Sequence, residues 1–163
     1  MIRRADAEDV EAIVAIFEAS FATLDFLPQL HTHAENVEFF RRSVVAGEAY
    51  LLEHGFAILA GDTLTHLYVH PAAIGTGIGH ALFAHVQTLR PDGFEFWVFR
   101  QNERARRFYE AHGAVAVEFG DGSGNEEGVA DVRYEWRPSV AGVRGSNGRS
   151  PFAESRSSPR RSR

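Results

Sequence analysis

The 163 residues contain no cysteine and no lysine, a single methionine, and no long apolar run. Each absence removes a class of chemistry. Without cysteine there is no disulfide framework, no thiol nucleophile and no cysteine-ligated metal. Without lysine the chain cannot complete the Gly-Lys-Ser/Thr ending of a nucleotide-binding P-loop. No stretch approaches the roughly 20 residues of a membrane helix, and the opening MIRRADAEDVEA lacks the apolar segment of about 7 to 15 residues that marks a signal peptide. The chain therefore reads as a cytoplasmic protein with no membrane attachment. Eight histidines raise the question of a metal. Their spacings, 31/33, 66/70 and 80/85, include no His-Glu-x-x-His pattern and have no cysteine in support, so no metal is expected.

What is present suffices for one core, since 44% of the chain is hydrophobic and thirteen residues are phenylalanine. Charge is unevenly placed. Residues 1–138 carry 21 acidic groups against 11 arginines, whereas residues 139–163 carry six arginines against Glu154 alone. So acidic a body repels nucleic acid and favours cationic substrates. The last stretch, SVAGVRGSNGRSPFAESRSSPRRSR, has almost nothing to bury and reads as a disordered tail behind a domain spanning 1–138.

Taken in order, Ile2 to Arg4 reads as a first strand and Asp6 as the cap of a helix whose apolar face is Val10, Ile13, Val14, Phe17 and Phe21. Residues 22–32 have no period and form a loop. Thr32 and Glu35 make a capping box for a second helix, with Val37, Phe40, Arg41, Val44 and Val45 on one side and Gly47 at its end. Tyr50-Leu-Leu and Phe56-Ala-Ile-Leu flank a tight turn at Glu53-His54-Gly55. Phe94 to Phe99 is an aromatic strand, Asn102 caps a helix carrying Ala105, Phe108, Tyr109 and His112, and Val115 to Phe119 pairs with Val132 to Trp136. The order is mixed α/β with a largely antiparallel sheet rather than a doubly wound one.

The central stretch runs from Leu67 to Leu89, LYVHPAAIGTGIGHALFAHVQTL. Leu67-Tyr68-Val69 is a strand closed by Pro71, which cannot donate to a ladder. Gly75, Gly77 and Gly79 follow at alternate positions, and Ala81, Leu82, His85, Val86 and Leu89 then recur at helical spacing. Strand, glycine turn and helix is an order that holds phosphate. The glycines let backbone approach a ligand, and the unpaired N–H groups of the first turn lie at the positive end of the helix dipole. A dinucleotide fingerprint would require glycine at position 80, where His80 stands, and would not tolerate His70 to Ile74 between strand and first glycine. Glu95 does lie about where a ribose-binding acid would be wanted, so NAD remains an alternative ligand.

These residues resemble the second motif of the GCN5-related N-acetyltransferase (GNAT) family, roughly Val-x-Pro-x-x-Arg/Gln-Gly-x-Gly-x-Gly. Val69, Pro71, Gly75, Gly77 and Gly79 match, and Ile74 stands in the Arg/Gln position. A second stretch resembles the family's Asn-x-x-Ala-x-x-Phe-Tyr-x-x-x-Gly through Asn102, Ala105, Phe108, Tyr109 and Gly113. The resemblance covers about residues 1–137. It implies an α/β fold of the α+β type: a mixed, mostly antiparallel sheet splayed between its central strands, with helices on both faces. It implies acetyl-coenzyme A in the cleft as cosubstrate. Leu67, Tyr68 and Val69 would line the pantetheine arm, and the N–H groups of Gly75, Thr76, Gly77, Ile78, Gly79 and His80 would hold the diphosphate. Asn102 would bond the pantetheine and Tyr109 would serve the sulfur as general acid. Because that grip is mainly backbone, Ile74 should weaken coenzyme binding rather than abolish it.

The implied reaction is transfer of acetyl to a primary amine of a small molecule or peptide by direct attack. A degenerate member that binds acyl-coenzyme A as a sensor or partner module is the alternative. The loops at 22–33 and 120–131 are expected to shape the acceptor pocket, and His31, His33, Glu95 and Asp131 are the candidate bases. A homodimer is compatible with this reading.

Overall fold

Two capping boxes start the N-terminal helices. Asp6 accepts the Glu8 N–H at 2.9 Å while Asp9 accepts the Asp6 N–H at 2.9 Å. Thr32 and Glu35 do the same for each other at 3.2 and 3.3 Å, satisfying donors that a helix start leaves over. The computed structural model describes residues 1–139, and all but the first residue of the expected tail lie outside the described residues. A short strand β1 (Arg3–Arg4) and a 3₁₀ turn (Ala7–Asp9) precede α1 (Val10–Phe21) and α2 (His33–Ala46). Then come β2 (Glu48–Leu52), β3 (Gly55–Ala60) and β4 (Thr63–Val69), a second 3₁₀ turn (Pro71–Ala73), α3 (Ile78–Leu89) and β5 (Phe94–Phe99). The order closes with α4 (Glu103–Ala111), β6 (Val115–Gly120) and β7 (Asp131–Trp136).

The seven strands form one sheet in the order β1-β2-β3-β4-β5-β7-β6. Every neighbouring pair is antiparallel except β4 and β5, which run parallel and share a single register pair, Thr63 with Glu95. The fold is thus mixed α/β, as the order of elements predicted, with the sheet splayed at its centre, as the family resemblance implied. β3 reads as continuous apolar residues because both of its faces are covered. Phe56 and Ile58 pack into the cluster under α1 and α2, and Ala57 and Leu59 into the one under α3 and α4.

Two packing expectations are corrected. Val45 is 76% exposed, since one residue past the buried Val44 is about 100° around the helix. Phe83 lies outside the expected stripe on α3, yet it is fully buried and meets Phe94, Phe96, Phe108 and Tyr109 at 5.4 to 6.1 Å between ring centroids. The buried face of α3 is wide because it covers the sheet and abuts α4 together.

Gly55 opens β3 where α3 crosses it. A Cβ there would stand 2.5 Å from Ile78 Cγ2 and 3.0 Å from Leu82 Cδ1, so glycine is required for space rather than for its dihedral freedom. Gly55→Ala is expected to destabilise the protein by about 1–3 kcal/mol through overpacking, read as a lowered urea midpoint with unchanged slope.

Candidate active site

Beyond the Thr63–Glu95 pair the two central strands diverge, and a cleft of about 970 Å³ opens between them. Leu67, Tyr68 and Val69 form one wall, Phe96 to Phe99 the other, and Asn102, Arg104 and Tyr109 close it from α4. The far end of β4 is pinned from α1: the Ser20 hydroxyl donates to the Val69 carbonyl at 2.7 Å.

At that end the five residues between strand and first glycine fold into the 3₁₀ turn at Pro71, begun by His70, whose Nδ1 accepts the Ala72 N–H at 3.1 Å. Gly75 and Gly77 follow at φ 85° and 89°, left-handed values that a side chain disfavours. The reversal they produce aims Gly77 into the first turn of α3. Among the described residues, the N–H groups of Gly75, Gly77, Ile78, Gly79 and His80 donate to no protein acceptor. Thr76 is the exception to the expected row. Its N–H is donated to the Ala73 carbonyl at 3.3 Å and its hydroxyl to the same oxygen at 2.5 Å, because the turn closes back on itself there. Ile78 offers only its backbone, as its side chain is buried in the core. Gly75, Gly77, Gly79 and His80 line the cleft, and Ile74 beside them is 45% exposed with no charge to offer.

Asn102 caps α4, its Oδ1 accepting the Ala105 N–H at 3.3 Å, which leaves its Nδ2 hydrogens to the cleft. Tyr109 is 8% exposed, packed 4.4 Å from the Phe96 ring, and its hydroxyl has no protein partner among the described residues. Burial pushes that hydroxyl well above the ordinary tyrosine value. Tyr68, on the opposite wall, is raised first by burial and then by the nearby Tyr109 and Glu127.

Of the four candidate bases, Asp131 alone lines the cleft; it is 1% exposed and accepts from Asn125 Nδ2 at 3.1 Å. Glu95 is tied to Arg133 at 3.1 Å, His33 to Glu18 at 2.9 Å, and His31 to Glu35 and Glu126 at 3.3 and 3.1 Å. The His31–Glu126 contact joins the two loops expected to shape the acceptor pocket, and Phe26 of the first loop meets Phe99 of β5 at 6.1 Å between ring centroids. Three cleft or near-cleft groups escaped the sequence reading: His66, Arg104 and the buried Glu127. For His66 a signal existed, because it alternates with Leu64 and Tyr68 along β4. Among the described residues, no three His, Asp or Glu side chains gather as a metal site.

A family model described as an acetyltransferase (GNAT) domain matches residues 31–113. A peptidyl-lysine N-acetyltransferase, YjaB, of Salmonella typhimurium is 33% identical over 119 residues, covering 69% of this chain and 81% of that protein. Its Escherichia coli counterpart is 30% identical over the same length. The solution structure of apo YjaB from Escherichia coli superposes with a TM-score of 0.68 at 25% identity, covering 83% of this chain and 96% of that one. A GCN5-related N-acetyltransferase from Rhodopseudomonas palustris gives 0.69 at 22% identity, covering 85% and 95%. The chain belongs to the GCN5-related N-acetyltransferase family, and it is an acyltransferase.

The two ends of the Asn102 side chain can be separated by substitution. Asn102→Ala is expected to cost about 1 kcal/mol of stability through the lost cap, whereas Asn102→Asp keeps the cap and holds the melting temperature. A loss as large for Asp as for Ala would show that the amide nitrogen, not the cap, sustains the local structure.

Proposed function

We propose that residues 1–138 transfer an acetyl group from acetyl-coenzyme A to the nitrogen of a primary amine. One observation carries this reading: backbone N–H groups without protein acceptors among the described residues stand at the end of a cleft between parted strands. Acetyl-coenzyme A supplies a thioester already activated for attack; the chain binds, orients and handles protons. The amides of Gly75 and Gly77 through His80, with the α3 dipole behind them, would hold the diphosphate. The β4 edge at Leu67, Tyr68 and Val69 would pair with the pantetheine amides as a neighbouring strand would, and Asn102 Nδ2 would donate to the same arm. A β4 backbone N–H would receive the developing oxyanion.

Direct attack is supported by what the cleft's hydroxyls are doing. Those of Ser20, Thr23 and Thr65 are donated to backbone carbonyls at 2.6 to 3.0 Å, so His66 Nδ1, 3.0 Å from the Thr65 oxygen, donates to that oxygen rather than taking its proton. An alkyl amine is neutral in about one part in a thousand at pH 7, a cost of about 4 kcal/mol, so its proton needs an acceptor. Asp131 would take it, directly or through water. Tyr109, kept protonated by its burial, would donate to the departing thiolate. With ordinary values of about 10 for tyrosine and 8.5 for a thiol this transfer runs uphill by about 2 kcal/mol, and the raised hydroxyl steepens it. The gain is therefore modest. Acidic side chains on both acceptor loops favour a cationic acceptor, and the curated relatives are named for peptidyl lysine, so a lysine side chain in a peptide is the class to test first.

Thiol release from acetyl-coenzyme A, measured against lysine peptides and polyamines, is expected to depend on added amine. Tight coenzyme binding without release across the panel would favour the sensor reading, which the uncharged Ile74 suggests. Tyr109→Phe is expected to lower kcat by about 10²-fold with little change in KM, and undiminished turnover would return Tyr109 to a purely packing role. Asp131→Asn is expected to lower kcat by about 10² and remove the acidic limb of its pH profile; a limb that persists assigns the proton to another group.

A further inference from the structure

A pair of histidines sits where the glycine turn meets α4. His80 Nδ1 and His112 Nε2 are 2.8 Å apart, and His112 Nδ1 lies 2.7 Å from the Phe108 carbonyl oxygen. The carbonyl can only accept, so His112 carries its hydrogen on Nδ1 and presents a bare Nε2. His80 must then donate from Nδ1, which in the neutral ring leaves a lone pair on its Nε2. That atom has no protein partner among the described residues, and the ring is exposed and lines the cleft. The chain of bonds fixes both tautomers and the direction of both rings, and packing of His112 against Phe108 at 4.2 Å between ring centroids holds the second in place.

This arrangement has room for one proton. On His80 it adds a donor at Nε2 and a positive charge, and the bond to His112 survives because His80 still donates from Nδ1. A proton on each ring would set two N–H groups against each other across 2.8 Å, so one added proton on the pair excludes a second. The other ionisable groups on the cleft walls are His66 and Tyr68 from β4, Arg104 and Tyr109 from α4, and Asp131 from β7. The first turn of α3 holds no acidic residue, and no ion pair among the described residues engages His80 or His112.

We propose that the His80 imidazole is itself a ligand for the coenzyme's phosphates, aimed by His112, and that binding draws a proton onto the pair. The inference rests on the acetyl-coenzyme A reading above. A neutral His80 turns a lone pair toward an anion; a protonated one supplies a charge-assisted donor. His80 thereby contributes a cation where the turn itself, from His70 to Gly79, has no arginine and the chain has no lysine. His112 is a positioning residue, holding the ring at the angle from which Nε2 can reach a phosphate.

Calorimetry with dephospho-coenzyme A tests this, because that ligand keeps the diphosphate and lacks the 3′-phosphate, which would titrate in the same range. For the full chain, Kd is expected to be about fivefold lower at pH 6 than at pH 8, the change produced when a ligand favours the protonated form of an imidazole about tenfold. Titrations in buffers of different ionisation enthalpy should show uptake of a fraction of a proton. His80→Asn keeps the backbone amides and should bind with no proton uptake and a flat pH profile. His112→Ala should move the pH dependence to lower pH by removing the acceptor that stabilises the imidazolium. Binding that is intact but independent of pH, or proton uptake that persists in His80→Asn, overturns the proposal while leaving the coenzyme reading standing. No binding at any pH overturns the coenzyme reading itself.

Discussion

The parting of β4 from β5 is the constraint on which the rest of the molecule depends. A parallel pair that shares one register position leaves two strand edges facing each other with their backbone groups unspent, inside a protein where such groups are costly. The fold tolerates this because the gap is built from both sides. From below, Phe96 and Tyr109 pack ring to ring and fix the β5 wall to α4. From above, Ser20 ties the last carbonyl of β4 to α1 at 2.7 Å. A ligand that carries its own amides would complete the ladder, and a water-filled gap would satisfy it less well.

The crossover between these strands fixes where charge can be held. α3 must leave the end of β4 and return parallel to it as β5, which places its N-terminus over the mouth of the gap. Gly75 and Gly77 make the reversal in the left-handed region, and the amides it frees point away from the turn's own carbonyls except at Thr76. The wide buried face of α3 then locks that N-terminus in place, with Phe83 bridging sheet and α4 and Ile78 seated against Gly55. Precision at the turn is thus bought by packing on the far side of the helix.

What the sequence made legible was what local backbone chemistry decides. Glycine at 75 and 77, proline at 71, the caps at Asp6 and Asn102 and the capping box at Thr32 each impose a conformation on their neighbours, so they announce elements and their order. The two GNAT stretches are legible for the same reason, since each is a cap or turn with a fixed periodic continuation. Groups that meet only through the tertiary fold were not legible. His31 reaches Glu126 across 95 positions, Ser20 reaches Val69 across 49, and His80 reaches His112 across 32, and no local pattern marks any of them. Candidate bases chosen by loop position fared accordingly: three were engaged by polar neighbours, Glu95 by Arg133 and the two histidines by carboxylates, and Asp131 reached the cleft because it begins the strand beside β5.

In the proposed reaction a cationic acceptor poses a conflict of charge, and depth in the cleft offers a way to resolve it. Carboxylates on and beside the loops, Glu18 in α1, Glu35 in α2 and Glu126 in the second loop, can attract a cation, but salt screens them within about 10 Å and they cannot make an ammonium nucleophilic. A positive charge is stable among them. Farther in, the walls turn apolar with Leu24, Trp97, Val98 and Phe99, where an ammonium loses hydration and its neutral form gains. Asp131 stands in that drier zone, buried almost completely, while the loop acids remain in water. In the proposed reaction one residue type thus does two jobs at two depths, with exposed carboxylates collecting the charged amine and a buried one taking its proton. The His31–Glu126 contact ties one loop to the other and the Phe26–Phe99 contact ties the first loop to the β5 wall, so the two zones are parts of one folded unit.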